Sequence, residues 1–548
     1  MPPSFLPRRR TCVLLVLTLA LTTLASPAME TRRERPLSLA DFRTQVAEFN
    51  ENIHGKLLEL EINRRRLLAA EAAFVPALVM NVEHTQSDRP NTVEQRRSLG
   101  DVSRFDERNT LYSAGLEWLV PSGATVGFRY QLRDLNNNLQ GSSSLPFESS
   151  SSGELVSFLG FEVVQPLLRD RGRDATLASI RLASGESRLA YEDFRREMMM
   201  ILSAAELAYR NLHFAQEQHK FWDESLNLAI RVLEDQEAAL EAGRGSDLEV
   251  LMARAAVADR RARRAESWQR RIEASNATAS FFALGPAEGI LLVATESPLL
   301  SRRQYSLAES RAAAVRANPD FRSQALRLEM DDTRVAYARN QSLPQLDLTA
   351  SAGLNGLGNS LGSSFSDVSD ASFPSWSVGL TLRMPLDNAG ARNQLAAERL
   401  RYQKTALGID QIILQIEAAL DNAIAKVGAT LEAGESFTAA IEVNRRILES
   451  ELESLSVGRS DSRTVLQAEA DLFESMVAGL RNEVQLARAA LEVELYEGTL
   501  LENRRIEPDR DQIIRQIASI LDRDQWSPAQ YQSFLDEFGA SLRPDTLP

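Results

Sequence analysis

Residues 117–132 read EWLVPSGATVGFRYQL. Val126, Phe128, Tyr130 and Leu132 alternate with Thr125, Gly127, Arg129 and Gln131, the period of two required of a strand with one apolar and one polar face. Pro121-Ser122-Gly123 supplies turn chemistry, because proline presets φ and glycine tolerates positive φ. The stretch reads as a hairpin. It stands in a chain otherwise rich in Ala, Leu, Glu, Arg and Gln, which favour helices. The fold must therefore hold long helices and two-faced strands together.

Five further runs of strand length extend this pattern, giving six candidates: 77–85, 111–120, 124–133, 156–165, 345–354 and 375–384. In the last two, Leu346, Leu348 and Ala350 oppose Gln345, Asp347 and Thr349, and Val378, Leu380 and Leu382 oppose Gly379, Thr381 and Arg383. Each run is about long enough for a tilted strand to cross lipid. A soluble sandwich would alternate in the same way, and loop lengths separate the two. Polar segments 86–110 and 134–155 and the Gly/Ser-rich 355–374 are long, whereas Pro121–Gly123 is a short turn, and all the long loops fall on one side. An outer-membrane barrel shows that asymmetry, with aromatic residues such as Tyr112, Trp118, Phe128, Tyr130 and Trp376 at its interfaces.

Arg8-Arg9-Arg10, an apolar run from Cys12 to Leu24 and small residues near Ala25 and Ala28 describe a secretory signal peptide over 1–28. Cys12 is the single cysteine, so the exported chain would carry no thiol. Loss of the three arginines would take the net charge from −14 to −17, which argues against nucleic acid as a partner. Arg260-Arg261-Ala262-Arg263-Arg264 reads as one solvated face of a charged helix. Past the signal no apolar run reaches helix-spanning length, so a membrane-resident form must be a closed barrel, the remaining structure that satisfies its own backbone in lipid.

The sequence also repeats. Offset by 268 positions, residues 38–78 and 306–346 share 12 identities in 41 columns, including Asn50/Asn318, Glu61/Glu329 and Pro76/Pro344. Gly160 to Pro166-Leu167 matches Gly379 to Pro385-Leu386, and Gly243-Arg244 with Val250-Leu251-x-Ala253 matches Gly458-Arg459 with Val465-Leu466-x-Ala468. The chain is organised as signal peptide 1–28, first repeat 38–284, connector 285–305, second repeat 306–500 and tail 501–548. The first repeat holds four of the strands, a long helix 173–242 and a return helix 246–284. The second holds two strands, a long helix 391–457 and a return helix 465–500.

No proline interrupts 172–243 or 390–458. Roughly 70 helical residues make a rod of about 100 Å, with apolar stripes at Leu226, Ile230, Leu233 and Leu240 and at Ile413, Ile416, Leu420, Ala423 and Val427 for neighbouring helices. The return helices are about half as long. Two half-length helices stacked end to end match each rod: 246–284 with 307–341, and 465–500 with 39–74. The breaks between halves, and the tail, then lie at mid-height.

These residues resemble the TolC family of outer-membrane efflux proteins over about Leu39–Leu500: Asn318-Pro319-Asp320-Phe321 leading to Leu343-Pro344-Gln345-Leu346, Val378 to Leu386, and Gly458-Arg459 with Val465-Leu466-x-Ala468. The resemblance implies a mainly α protomer with a membrane β-barrel: internally duplicated, its long helical hairpins forming a periplasmic α-barrel continuous with an outer-membrane β-barrel in a homotrimer. The family's role is the exit duct of tripartite efflux or type I secretion systems, partnered by a periplasmic adaptor and an inner-membrane transporter. Its helical tips meet the adaptor and close the duct, which points to Gly243, Arg244, Asp247, Gly458 and Arg459. The family often carries aspartates flanking the second Val-Leu pair, where this chain has Thr464 and Gln467, so Asp461, Glu469 or Asp471 are left to form a constriction.

No bond-making constellation is present in the sequence. His213 and His219 are six apart, off one helix face, and there is no glycine-rich nucleotide loop. A duct needs no catalytic group, cofactor or metal. A soluble periplasmic coiled-coil adaptor or scaffold would also explain rods and export, but not six two-faced strands with one-sided loops. The common family form has four strands per chain; the hairpin 111–133 makes six here, eighteen in a trimer.

Overall fold

The computed structural model describes residues 33–98, 102–138, 153–282, 290–296, 303–457 and 459–506, with Ile513, Arg515 and Ile517. The expected signal peptide, part of the connector 285–305, Gly458 and most of the tail lie outside them. The elements in order are β1 (Arg33–Leu37), α1 (Leu39–Phe49), α2 (Glu51–Glu71), β2 (Ala77–Pro90), α3 (Val93–Ser98), β3 (Arg104–Leu119), β4 (Thr125–Asn137) and β5 (Glu154–Pro166). Next come α4 (Arg173–Thr176), α5 (Ala178–Glu241), α6 (Asp247–Ala279), β6 (Ile290–Ala294), α7 (Leu307–Ala317), α8 (Pro319–Gln341), β7 (Gln345–Gly358), α9 (Leu361–Ser369) and β8 (Phe373–Arg383). The chain continues through α10 (Ala389–Ser456), α11 (Ser462–Glu497) and α12 (Leu500–Arg504).

The architecture of the described residues is mainly helical, with six of the eight strands gathered at one end. Helices α5 and α10, of 64 and 68 residues, are the two rods. Helices α6 and α2 pack on α5, while α11 and α8 pack between the rods, touching both. The end-to-end pairing differs from the sequence expectation. The end of α6 meets the start of α2, because Asn50 Nδ2 donates to the Phe281 carbonyl at 3.0 Å and Phe281 and Phe282 pack on Phe42. The end of α11 meets the start of α8, where Asn318 Nδ2 donates to the Tyr496 carbonyl at 2.9 Å. Each return helix is therefore continued by the rising helix of its own copy, α6 by α2 and α11 by α8, and 246–284 does not continue into 307–341.

In the second copy Leu420, Ala423 and Val427 are buried with Ala314, Leu486, Ala489 and Val493. In the first, the tightest line is Ser225, Ala229 and Val232; Leu226, Ile230, Leu233 and Leu240 are half-buried beside it, since the smaller residues admit the closer approach.

The largest core lies where the half-helices join. Phe42, Ile53, Leu57, Phe194, Leu202, Tyr209, Leu212, Leu500 and Leu501 are almost wholly buried there, and Ile513 and Ile517 of the tail join the same cluster. Tyr209 donates its hydroxyl to the Leu37 carbonyl at 2.9 Å. β1 pairs in parallel with β6, a two-stranded sheet that ties the start of the chain to the connector.

A buried ionic cluster crosses this core. Glu206 is fully buried, accepts a hydrogen bond from Arg504 at 2.8 Å and is ion-paired with Arg43 at 2.8 Å; Arg504 also reaches Glu494 at 2.9 Å. Burial alone would raise the Glu206 carboxyl, but the two guanidiniums outweigh it and hold the group below the ordinary glutamate range. For Glu494 burial wins and its carboxyl is pushed up.

Candidate functional site: a two-faced wall and paired helical tips

The six longer strands form one antiparallel sheet in the order β2-β3-β4-β5-β7-β8. The hairpin β3–β4 is inside it, paired to β2 on one side and β5 on the other. Register aligns the faces across all six strands, since directly opposed residues share a face. One row runs Leu78, Leu116, Phe128, Phe161, Ala352, Trp376; the next runs Met80, Ala114, Tyr130, Leu159, Leu354, Pro374. The opposite face carries Asn81, Ser113, Gln131, Phe158, Asn355 and Phe373 in one row and Glu117, Gly127, Glu162, Ser351 and Ser377 in another. Arg129 and Glu162 approach to 3.7 Å there, and Ser351 and Ser377 share a hydrogen bond of 2.8 Å.

The outer strands β2 and β8 are edges. Val82 is 68% exposed, Leu380 67% and Trp376 79%, and each edge presents a row of unpaired backbone groups. Such an edge is stable only when covered. An exposed apolar line also runs along α10, where Leu400, Leu407 and Leu414 recur every seven residues.

At the other end the two hairpin turns stand side by side, since Gln236 of α5 donates to Ser462 of α11. Gly243 has φ +71°, the left-handed conformation that reverses the chain after α5. Arg244 is exposed and its amide donates to the Ala239 carbonyl. Ser246 and Glu249 form a reciprocal capping box at the start of α6, with Asp247 exposed beside it. In the second turn Arg459 is exposed, and Gly458 lies outside the described residues.

The acidic candidates separate by environment. Asp461 caps α11, accepting from Thr464 N at 2.7 Å and Thr464 Oγ1 at 2.8 Å, contacts that hold its carboxyl below the ordinary aspartate range. Asp471 is exposed and accepts from Gln467 Nε2 at 2.8 Å. Glu469 is buried and accepts from Arg260 of α6 at 3.1 Å, so its charge is spent within the helix packing. Sequence reasoning missed the apolar part of the tip: Leu248, Leu251 and Met252, at spacings of 3 and 4, are exposed on one face of α6, and Val457 is exposed in the other turn. Their helical spacing was the available signal, but periodicity alone cannot say which face of a helix is left uncovered.

His219 accepts or donates at Ser267 Oγ, 2.9 Å away, and packs beside Trp268. His213 lies apart from this contact. Among the described residues no group of three or more His, Cys, Asp or Glu is placed to hold a metal, and no helix is long and apolar enough to cross a membrane.

Residues 311–499 match the family described as outer membrane efflux protein. The fold is similar to the outer membrane channel CmeC of Campylobacter jejuni, at 13% identity over 84% of this chain and 85% of that one, TM-score 0.57. It is similar to the outer membrane protein VceC of Vibrio cholerae, at 15% identity over 84% and 96%, TM-score 0.57. The open state of the MtrE outer membrane channel of Neisseria gonorrhoeae matches at 17% identity over 84% and 88%, TM-score 0.54. No curated protein matches by sequence.

Proposed function

From a chain that carries an outer membrane efflux protein domain on the fold of outer-membrane channels, we propose that three copies form the exit duct of a tripartite efflux or type I secretion system. The observation that carries the reading is the register of the sheet, which keeps one mainly apolar and one mainly polar face in line across six strands. The apolar face meets outer-membrane lipid and the polar face lines water. β8 of one copy pairs with β2 of the next, which removes both edges, and closure over three copies gives eighteen strands. Barrel diameter grows about linearly with strand number, so the pore is about one and a half times as wide as a twelve-stranded one.

The Leu400, Leu407 and Leu414 line on α10, level with α8, meets the neighbouring copy's α2, which lies in the same half, and helps to close the periplasmic helical barrel in the same step. At the tips, Leu248, Leu251 and Met252, flanked by Arg244, Asp247 and Arg459, receive a periplasmic adaptor. Transport through the duct is passive; the inner-membrane transporter supplies energy and selects the cargo. Cell fractionation tests this reading. The chain is expected in the outer membrane, released by detergent, and recovery in the soluble periplasm would overturn it in favour of an adaptor or scaffold.

A further inference from the structure

Helix α9 begins three residues after β7 ends and folds back onto the apolar face of the sheet, against β7 and β5. Its Ser364 is buried on Ser157: Ser364 Oγ donates to Ser157 Oγ at 2.6 Å, and Ser157 Oγ donates to the Ser364 carbonyl at 2.9 Å. Leu357 N donates to the Asp367 carboxylate at 3.2 Å. The close approach requires glycine, because a Cβ on Gly356 would overlap the Ser364 carbonyl oxygen. Val368 is buried beneath the helix, and the Phe365 ring meets Tyr130 edge-on at 6.3 Å.

The register shows what α9 covers. In the row that carries Val82, Tyr112 and Leu132, strands β5 and β7 contribute Ser157 and Gly356. One step further out the row is His84, Thr110, Asp134, Leu155 and Gly358, so the apolar belt ends here. At its outer rim the belt therefore has a gap over β5 and β7. Helix α9 lies over that gap and presents Leu361, 61% exposed, and Phe365, 54% exposed. It carries no basic residue, and its Asp367 is engaged by the backbone.

We propose that α9 is an interfacial helix whose Leu361 and Phe365 seat at the boundary between acyl chains and headgroups of the outer leaflet, completing the rim of the belt. The inference rests on the membrane reading above and adds a lipid contact made by a loop rather than by the barrel wall. Continuity with the apolar face selects lipid as the occupant, and a short amphipathic helix lying in the interface is a known way to meet it. In a trimer the contact recurs three times around the rim.

Nitroxide labels test it on the full chain with Cys12→Ser, reconstituted in phospholipid vesicles. Single cysteines are placed by Phe365→Cys, with Leu361→Cys as a second variant, by Val378→Cys in mid-belt and by Arg108→Cys beyond it. The expected result is broadening by oxygen exceeding broadening by a water-soluble nickel chelate at 365, 361 and 378, with the order reversed at 108. Chelate dominating at 365 and 361 while 378 remains oxygen-dominated would overturn the lipid seat and leave the barrel intact. Chelate dominating at 378 as well would overturn both. Gly356→Val, which displaces α9, is expected to turn the 365 label chelate-accessible and leave 378 unchanged; an unaltered 365 label would contradict the docking argument.

Discussion

Asn50 and Asn318, equivalent positions in the two copies, perform the same double task. Asn50 Oδ1 caps α2 by accepting from Asn52 and Ile53 amides, while its Nδ2 holds the Phe281 carbonyl at the end of α6. Asn318 Oδ1 caps α8 through the Phe321 amide, while its Nδ2 holds the Tyr496 carbonyl at the end of α11. One side chain thus satisfies an orphan donor of the helix that starts and an orphan acceptor near the helix that ends. Asparagine is suited to this because it carries both groups on one planar amide. Two half-helices can then behave as one rod.

Replacing Asn318 by alanine removes both functions and is expected to cost about 1–3 kcal/mol locally. Asn318→Ser retains a cap but is too short to bridge, and a loss on the order of 1 kcal/mol is expected. Hydrogen exchange at the Phe321 amide reads this directly, and exchange in Asn318→Ala as slow as in the parent chain would refute the joint. Asn50 and the Ile53 amide provide the matching experiment in the first copy.

Glu206 is expected to be a strong stabiliser of the mid-height core. Glu206→Gln leaves Arg43 and Arg504 without their shared carboxylate, and breaking a buried pair costs about 3–5 kcal/mol. Because the folded-state value of Glu206 is depressed, its contribution is complete above the ordinary glutamate pKa of about 4.3. It is lost as pH falls through the lower folded value. Unfolding measured against pH should show the parent chain losing stability in that acidic window, with a shallower slope in Glu206→Gln. Parallel curves would mean the carboxylate is not the titrating partner.

At the tip, the two exposed acids are expected to act on ions and the buried one on packing. Asp461→Asn keeps an N-cap side chain while removing charge, and Asp471→Asn removes a second exposed charge. In the proposed three-copy duct, where the charges meet around one axis, the double variant should be less cation-selective in planar bilayers under a salt gradient. Glu469→Gln should leave selectivity unchanged and loosen the contact with Arg260. A reversal potential that moves with Glu469→Gln, and not with the aspartates, would invert this assignment.

Much of this fold was legible from local patterns. Alternation placed the cores of all six strands, and the absence of proline placed both rods. The strands nevertheless run further than alternation showed: Gln86–Pro90 and Arg104–Thr110 are polar apart from Pro90 and Phe105, yet they remain paired in β2 and β3, with Arg104 held by Asp88. Such pairing requires no apolar face, so no period marks it. Helix α9 was hidden in a Gly/Ser-rich segment because what fixes it is the surface beneath, Ser157 and Gly356, not its own propensity. The Asn50/Asn318 identity was visible, but its meaning depended on which helix ends meet, a tertiary fact. Glu469 could not be told from Asp471 in sequence, since its partner Arg260 is 209 residues away.

The central claim is that the hairpin β3–β4 is part of the wall of a three-copy duct. Single-particle imaging of the detergent-extracted assembly tests it most directly. The account predicts three-fold symmetry and an eighteen-stranded barrel in which β8 of each copy pairs with β2 of the next. A twelve-stranded wall with residues 104–137 folded outside it, or a particle with no three-fold axis, would contradict it.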